Sequence, residues 1–250
     1  MDKSNLWGSY YLTQNGSTLF ISFNESAADK FQKNPGHYNV CAKLEILLND
    51  AEKLPTIVDM SRMNTIEDNF GIFLESNGGL QVGRSTFPGG CTIYGYLPNL
   101  QDKHKKFSPD NSYFKSINFK LEKDPNQKIY FDFLWPDEIE RNILSDNQVL
   151  QALLDQNDSL ETPREIFHYL LFNTLYDQKL FKSFALKKGF KIVKKHTQNE
   201  DCRHLLIISH KEAPENISGT TTFLVEEVKA FKGDYTGWET QVVKKEMTCC

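Results

Sequence analysis

The chain has few of the features by which membrane proteins and enzymes are most readily recognised. No stretch approaches the roughly 18 apolar residues of a membrane-spanning helix. The opening Met1-Asp2-Lys3-Ser4-Asn5-Leu6-Trp7 has no apolar leader core, so the expectation is a cytoplasmic protein. Its five cysteines (Cys41, Cys91, Cys202, Cys249 and Cys250) show no C-x-x-C spacing, which argues against a disulfide framework or a thiolate zinc site. Charge of one sign is also scarce. The 29 Lys and Arg against 33 Asp and Glu leave a net charge of −4, too little to hold DNA or an anionic membrane by a global field. No G-x-S-x-G elbow, H-E-x-x-H helix or glycine-rich dinucleotide turn occurs. No catalytic residue, cofactor site or metal site is therefore expected, and an enzyme without a recognisable motif stands as an alternative.

Three local patterns resemble sites but lack the necessary context. Gly78-Gly79-Leu80-Gln81-Val82-Gly83-Arg84-Ser85 is one residue from a phosphate-binding loop, with arginine in the lysine position. A phosphate cradle needs strand, loop, then helix, whereas here a helix and a glycine stop precede a strand. His196, Cys202, His204 and His210 lie close in sequence, but His204 and His210 flank an expected strand and would be about 20 Å apart if it is extended. The terminal Cys249-Cys250 pair has no surroundings that would lower a thiol pKa. Lys187, Lys188, Lys191, Lys194 and Lys195, with Phe190 among them, form the densest basic patch. An RNA backbone on that Lys187–Lys195 patch is the alternative partner reading, against a solvated helix end and strand edge.

Aromatic residues are plentiful, with 18 Phe and 10 Tyr in 250 residues, and the length suits two domains. Trp7–Leu12 and Ser17–Phe23 read as a hairpin turning at Asn15-Gly16. Asn39–Leu48 alternates as a half-buried strand. Thr65, with Asp68 three residues on, predicts a helix start, and Gly78-Gly79 its stop. Leu80–Thr86 and Cys91–Tyr96 read as strands, 107–119 as weakly helical, and Lys128–Leu134 as an aromatic strand. A polar helix follows Pro136. Asp155-Gln156-Asn157-Asp158-Ser159 has linker composition, which sets the expected boundary between domains 1–158 and 159–250.

After that boundary come strand 165–172, helix 177–188 with Leu180, Phe181, Phe184 and Leu186 toward the core, strands 190–194 and 205–209, helix 217–231 and strand 239–243. The expected fold class is α+β. Two ferredoxin-like units of β-α-β-β-α-β order, each with helices on one face of an antiparallel sheet, are anticipated, the first preceded by the hairpin.

Gly233-Asp234-Tyr235-Thr236-Gly237-Trp238-Glu239-Thr240 is the most distinctive stretch. Its glycines can take positive φ, and Tyr235 and Trp238 combine large apolar area with a polar tip. Asp234, Tyr235, Gly237, Trp238 and Glu239 are the candidate binding or motif residues, with Tyr235 and Trp238 weighed chiefly as packing. The stretch resembles the closing glycine-x-tyrosine-aspartate-glycine-tryptophan motif of the regulator of ribonuclease E activity B family, with Thr236 in place of the usual aspartate. The N-terminal half, through Trp7, Asn15-Gly16, Ile66-Glu67-Asp68, Asp124-Pro125 and Tyr130 to Leu134-Trp135-Pro136, is similar to an uncharacterised bacterial family catalogued as a domain of unknown function, number 695. The resemblance implies a non-enzymatic regulatory protein that acts through protein contacts, with a ribonuclease as the partner class.

Overall fold

The computed structural model describes residues 6–14, 17–98, 107–197 and 203–244; the side chains of residues 14 and 194–197 fall outside that description. Contacts divide the chain into two units, Met1–Pro136 and Asp137–Cys250. Both are α+β with antiparallel sheets. Asn15-Gly16, Cys202, Cys249 and Cys250 lie outside the described residues.

In the first unit, β1 (Trp7–Gln14) and β2 (Ser17–Asn24) pair from Trp7↔Asn24 to Gln14↔Ser17. They join β3 (Val40–Leu47), β4 (Leu80–Phe87), β5 (Gly90–Leu97) and β6 (Ser116–Lys123) in a six-stranded sheet of order β1-β2-β4-β5-β3-β6. One face buries Ala42, Leu44, Ile46 and Ile93 against Met63, Ile66, Phe70 and Leu74 of helix α2 (Ile57–Ser76). On the other face, Phe31 of helix α1 (Ser26–Lys33) packs edge-on against Tyr96 and Tyr130.

This unit corrects the expected β-α-β-β-α-β pattern in two ways. Segment 128–134, expected as the last strand, is a π-helix (Ile129–Leu134), and the last strand is β6. No helix is seen between β5 and β6 among the described residues, and helices cover both faces of the sheet. Asp124 explains why a helical turn starts here. Its carboxylate accepts the backbone N–H groups of Lys128 (2.9 Å) and Ile129 (3.0 Å), satisfying donors that a starting helix leaves orphaned. Tyr130 is then buried and donates to the Asn24 carbonyl at 2.7 Å.

α2 also begins earlier than expected, because the capping box is Thr56 with Asp59 and not Thr65 with Asp68. Its first turn carries exposed Ile57 and Val58, which break the amphipathic pattern and conceal that start. Arg84 of the near-phosphate-loop pattern is buried under α2, 2.8 Å from both Glu67 Oε2 and Asn64 Oδ1.

The second unit comprises α3 (Glu138–Leu154), β7 (Arg164–Phe172), α4 (Leu175–Lys187), β8 (Lys191–Thr197), β9 (His204–Glu212), α5 (Ile217–Ala230) and β10 (Gly233–Thr240). The sheet order is β10-β7-β9-β8, antiparallel throughout, which puts β10 and β8 at the edges. Leu170, Phe172, Leu206 and Ile208 meet Phe181 and Ala185 of α4 and Leu224 and Val228 of α5.

α3 belongs to this unit, so the break falls after Pro136 and not after residue 158. The linker-like run 155–159 is in fact pinned. Asp158 is fully buried and accepts from Arg164 Nη2 at 2.6 Å and from the Val243 N–H at 2.7 Å. A second difference concerns α4, where Leu180 and Leu186 face outward, 42% and 51% exposed, while Phe181 and Ala185 face the core.

Candidate functional site

The last strand, expected over 239–243, lies earlier and coincides with the distinctive stretch 233–240. It is the edge strand β10 itself, and residues 241–243 form no strand. β10 pairs with β7 from Gly233↔Phe172 to Thr240↔Ile166, with a bulge between Tyr235 and Gly237. Gly237 sits at φ +130°, and a Cβ there would meet nothing within 4 Å, so glycine is required by the backbone path and not by crowding. Gly233 serves the opposite need. Its φ is not positive, but a Cβ would lie 2.5 Å from the Phe172 ring and 2.8 Å from Val228.

The bulge divides the candidate residues between two environments. Trp238 packs with Leu153 of α3, Ile166 of β7 and Ile217 of α5, and its indole Nε1 donates to Asp146 Oδ1 on α3 at 2.8 Å. Asp146 is 1% exposed and also accepts from Thr221 Oγ1 and from Asn142 Nδ2 at 3.3 Å. Burial pushes its pKa up, and the bonds from Thr221 and Trp238 pull the other way. One carboxylate therefore joins α3, α5 and β10.

Tyr235 begins a second chain of bonds. Its hydroxyl lies 2.9 Å from His168 Nδ1, His168 Nε2 lies 3.2 Å from His210 Nδ1, and His210 Nε2 lies 2.9 Å from Glu212 Oε2, which also accepts from Thr220 Oγ1 at 3.0 Å. A carboxylate only accepts, so His210 Nε2 donates to Glu212, and the neutral His168 has one donor and one acceptor nitrogen to share between Tyr235 and His210. His168 is fully buried, and desolvation, helped by its neighbour His210, lowers its pKa to about 3. Burial raises the Tyr235 pKa. The relay runs from the buried His168 to a partly exposed His210–Glu212 pair and ties β10, β7, β9 and α5 together.

Asp234 and Glu239 point the other way. Asp234 pairs with Arg203, and Glu239 accepts from the Tyr169 hydroxyl, an acceptor bond that raises the Tyr169 pKa to about 12. With Thr236 they stand on the outer face of the edge. A cleft of about 390 Å³ opens there, lined by residues that include Val149, Tyr169, Leu171, Trp238 and Glu239. The first unit holds a larger cleft of about 500 Å³ between α2 and residues 107–114, where Arg62 stacks 4.2 Å from the centre of the Tyr113 ring. None of the candidate residues lines it.

Asp146 and His168 escape a motif search, although a signal for each exists, and His210, weighed above only as a metal ligand, bonds His168 and Glu212 instead. His168 occupies an inward position of the alternating strand Ile166-His168-Leu170, and Asp146 lies on the α3 face that carries Val149 and Leu153. Of the basic patch, Lys191 pairs with Glu165 at 3.4 Å, and Lys188 lies 5.5 Å from the ring centres of both Phe184 and Phe223. The side chains of Lys194, Lys195 and His196 lie outside the described residues.

Two protein-family models match this chain, in the order its two units follow. Residues 5–135, just over half of the chain, match the one described as "Family of unknown function (DUF695)". The chain belongs to the DUF695 family. Residues 145–240 match the model described as "Regulator of ribonuclease activity B". In this DUF695 protein the second match starts beside Asp146 and ends with β10, so it encloses both partners of the Asp146–Trp238 bond. The DUF695 match ends at residue 135, next to the break between the units. No curated protein matches the chain.

Proposed function

We propose that this protein is a non-enzymatic regulator that acts through protein contacts on a ribonuclease in the cytoplasm, with its second unit as the regulatory module. The observation that carries this reading is the match to regulator of ribonuclease activity B over 145–240, which runs from within α3 to the end of β10. The order β10-β7-β9-β8 supports a ferredoxin-like arrangement for that module. The division within β10 supports contact over chemistry. Tyr235 and Trp238 are committed to internal bonds, while Asp234, Thr236 and Glu239 present a polar edge beside a cleft of mixed lining. Edge strands and clefts of this kind suit a protein ligand.

The test adds the purified protein to an endoribonuclease and its structured RNA substrate. The expected result is a changed cleavage rate or pattern, with a protein–protein complex detectable by calorimetry in the absence of RNA. Unchanged cleavage with no complex would refute the reading. Salt-dependent binding to single-stranded RNA alone, lost on Lys191→Glu, would replace it with the RNA-binding alternative.

A further inference from the structure

Helix α4 is apolar on two sides. At 100° per residue, Phe181, Ala185 and Gln178 lie on the buried side. Leu175, Tyr176, Leu180 and Leu186 lie on the opposite arc, 51%, 69%, 42% and 51% exposed. Core packing does not account for these four. Lys179 and Lys187 share that arc and Lys182 borders it, while the helix's one acid, Asp177, is turned to the N-cap, where it bonds Thr174. Among the described residues, Lys179, Lys182 and Lys187 have no carboxylate within 4 Å. The outer face of α4 therefore interleaves exposed apolar side chains with lysines that no carboxylate among the described residues pairs.

We propose that this face of α4 docks a segment of a partner protein that carries apolar side chains flanked by carboxylates. Charge complementarity sets the sign of the partner, and the leucines with Tyr176 are the kind of apolar anchors that helical recognition stripes present. An RNA strand fits less well, because leucines offer no flat ring for a base and Tyr176 is the stripe's one aromatic. The proposal rests on the protein-contact reading above and adds a second contact surface, on α4, to the β10 edge.

The test uses the full chain and two fluorescent helical peptides of about 14 residues, close to the length of α4. Both carry leucines at helical spacing, one with flanking glutamates and the other with flanking lysines; a single-stranded RNA of matched label is the third probe. The wild type is expected to bind the glutamate peptide at least about tenfold more tightly than either other probe. Lys179→Glu with Lys187→Glu should reverse the peptide preference, and Leu180→Ser should weaken binding about tenfold with an unchanged melting temperature, since the residue is exposed. Equal affinity for both peptides, tighter RNA binding, or self-association of the chain abolished by Leu180→Ser would overturn the proposal. The same variants enter the cleavage assay. Wild type and variants altering cleavage equally would sink the α4 surface and leave the regulator reading. Unaltered cleavage with the peptide preference intact would do the reverse.

Discussion

The indole of Trp238 donates its proton to the buried carboxylate of Asp146 at 2.8 Å, across 92 positions of sequence. That bond fastens α3 to the terminal strand. It also explains why a helix that follows the first unit's last residues belongs to the second.

Trp238→Ala removes a ring packed among Leu153, Ile166 and Ile217 and leaves Asp146 short of a donor. The expected loss is about 3–5 kcal/mol of stability, read by urea denaturation. Trp238→Phe keeps most of the packing and loses the N–H, so it should cost less, on the order of 1–3 kcal/mol. Asp146→Asn still accepts from Trp238 but turns an NH2 toward Asn142 Nδ2, and should cost less than Trp238→Ala because the ring stays packed.

Fragments test the boundary directly. A chain starting at Asp137 should melt cooperatively, with the near-ultraviolet circular dichroism of a buried tryptophan. A chain starting at Ser159 lacks α3 and Asp158, exposes the Trp238 cluster and leaves Arg164 without its carboxylate. Cooperative, native-like melting of the shorter fragment would contradict the placement of α3.

The buried histidine and aspartate set opposite pH dependences. His168 has its folded pKa depressed to about 3 from an ordinary 6.5, so its contribution is fully present above pH 6.5 and is lost as pH falls toward 3. Asp146 has a raised folded pKa, so its contribution is complete below its ordinary 3.8 and declines as pH rises through the folded value. His168→Asn should therefore be less stable at pH 7 yet lose less of its melting temperature than wild type between pH 6.5 and pH 4. Parallel curves would show that His168 does not stay neutral.

The two β10 glycines should fail for different reasons. Gly237→Ala forces a side chain into φ +130° where there is room for it, a backbone cost of about 1–3 kcal/mol. Gly233→Ala drives a methyl into Phe172 and Val228, so combining it with Val228→Ala should restore part of the lost stability. The Val228 change should give no such rescue to Gly237→Ala. Denaturation of the single and double variants separates the two.

Much of the second unit was legible because its central strand β7 alternates cleanly. β7 buries every other residue, and period-two alternation needs no tertiary knowledge to detect. The first unit was harder to read. Ile129-Tyr130-Phe131-Asp132-Phe133 has strong strand propensity, but the helical turn wins because Asp124 supplies acceptors to its first amides and Tyr130 finds a buried partner in the Asn24 carbonyl. The candidate site was half visible. The motif residues of β10 stood out, whereas Asp146, His168 and His210, which hold them, matter only through partners distant in sequence.

By itself, the sequence determined the α+β class, the element order from β7 onward and the family resemblance carried by Gly233–Thr240, because periodicity, turn residues and motif spacing are local properties. The tertiary structure decided where the chain divides, which leucines of α4 are left outside and which way each residue of β10 faces. Those outcomes depend on long-range pairings. A polar turn becomes an anchor when Arg164 reaches Asp158, and a tryptophan becomes a tie when a buried carboxylate lies beneath it.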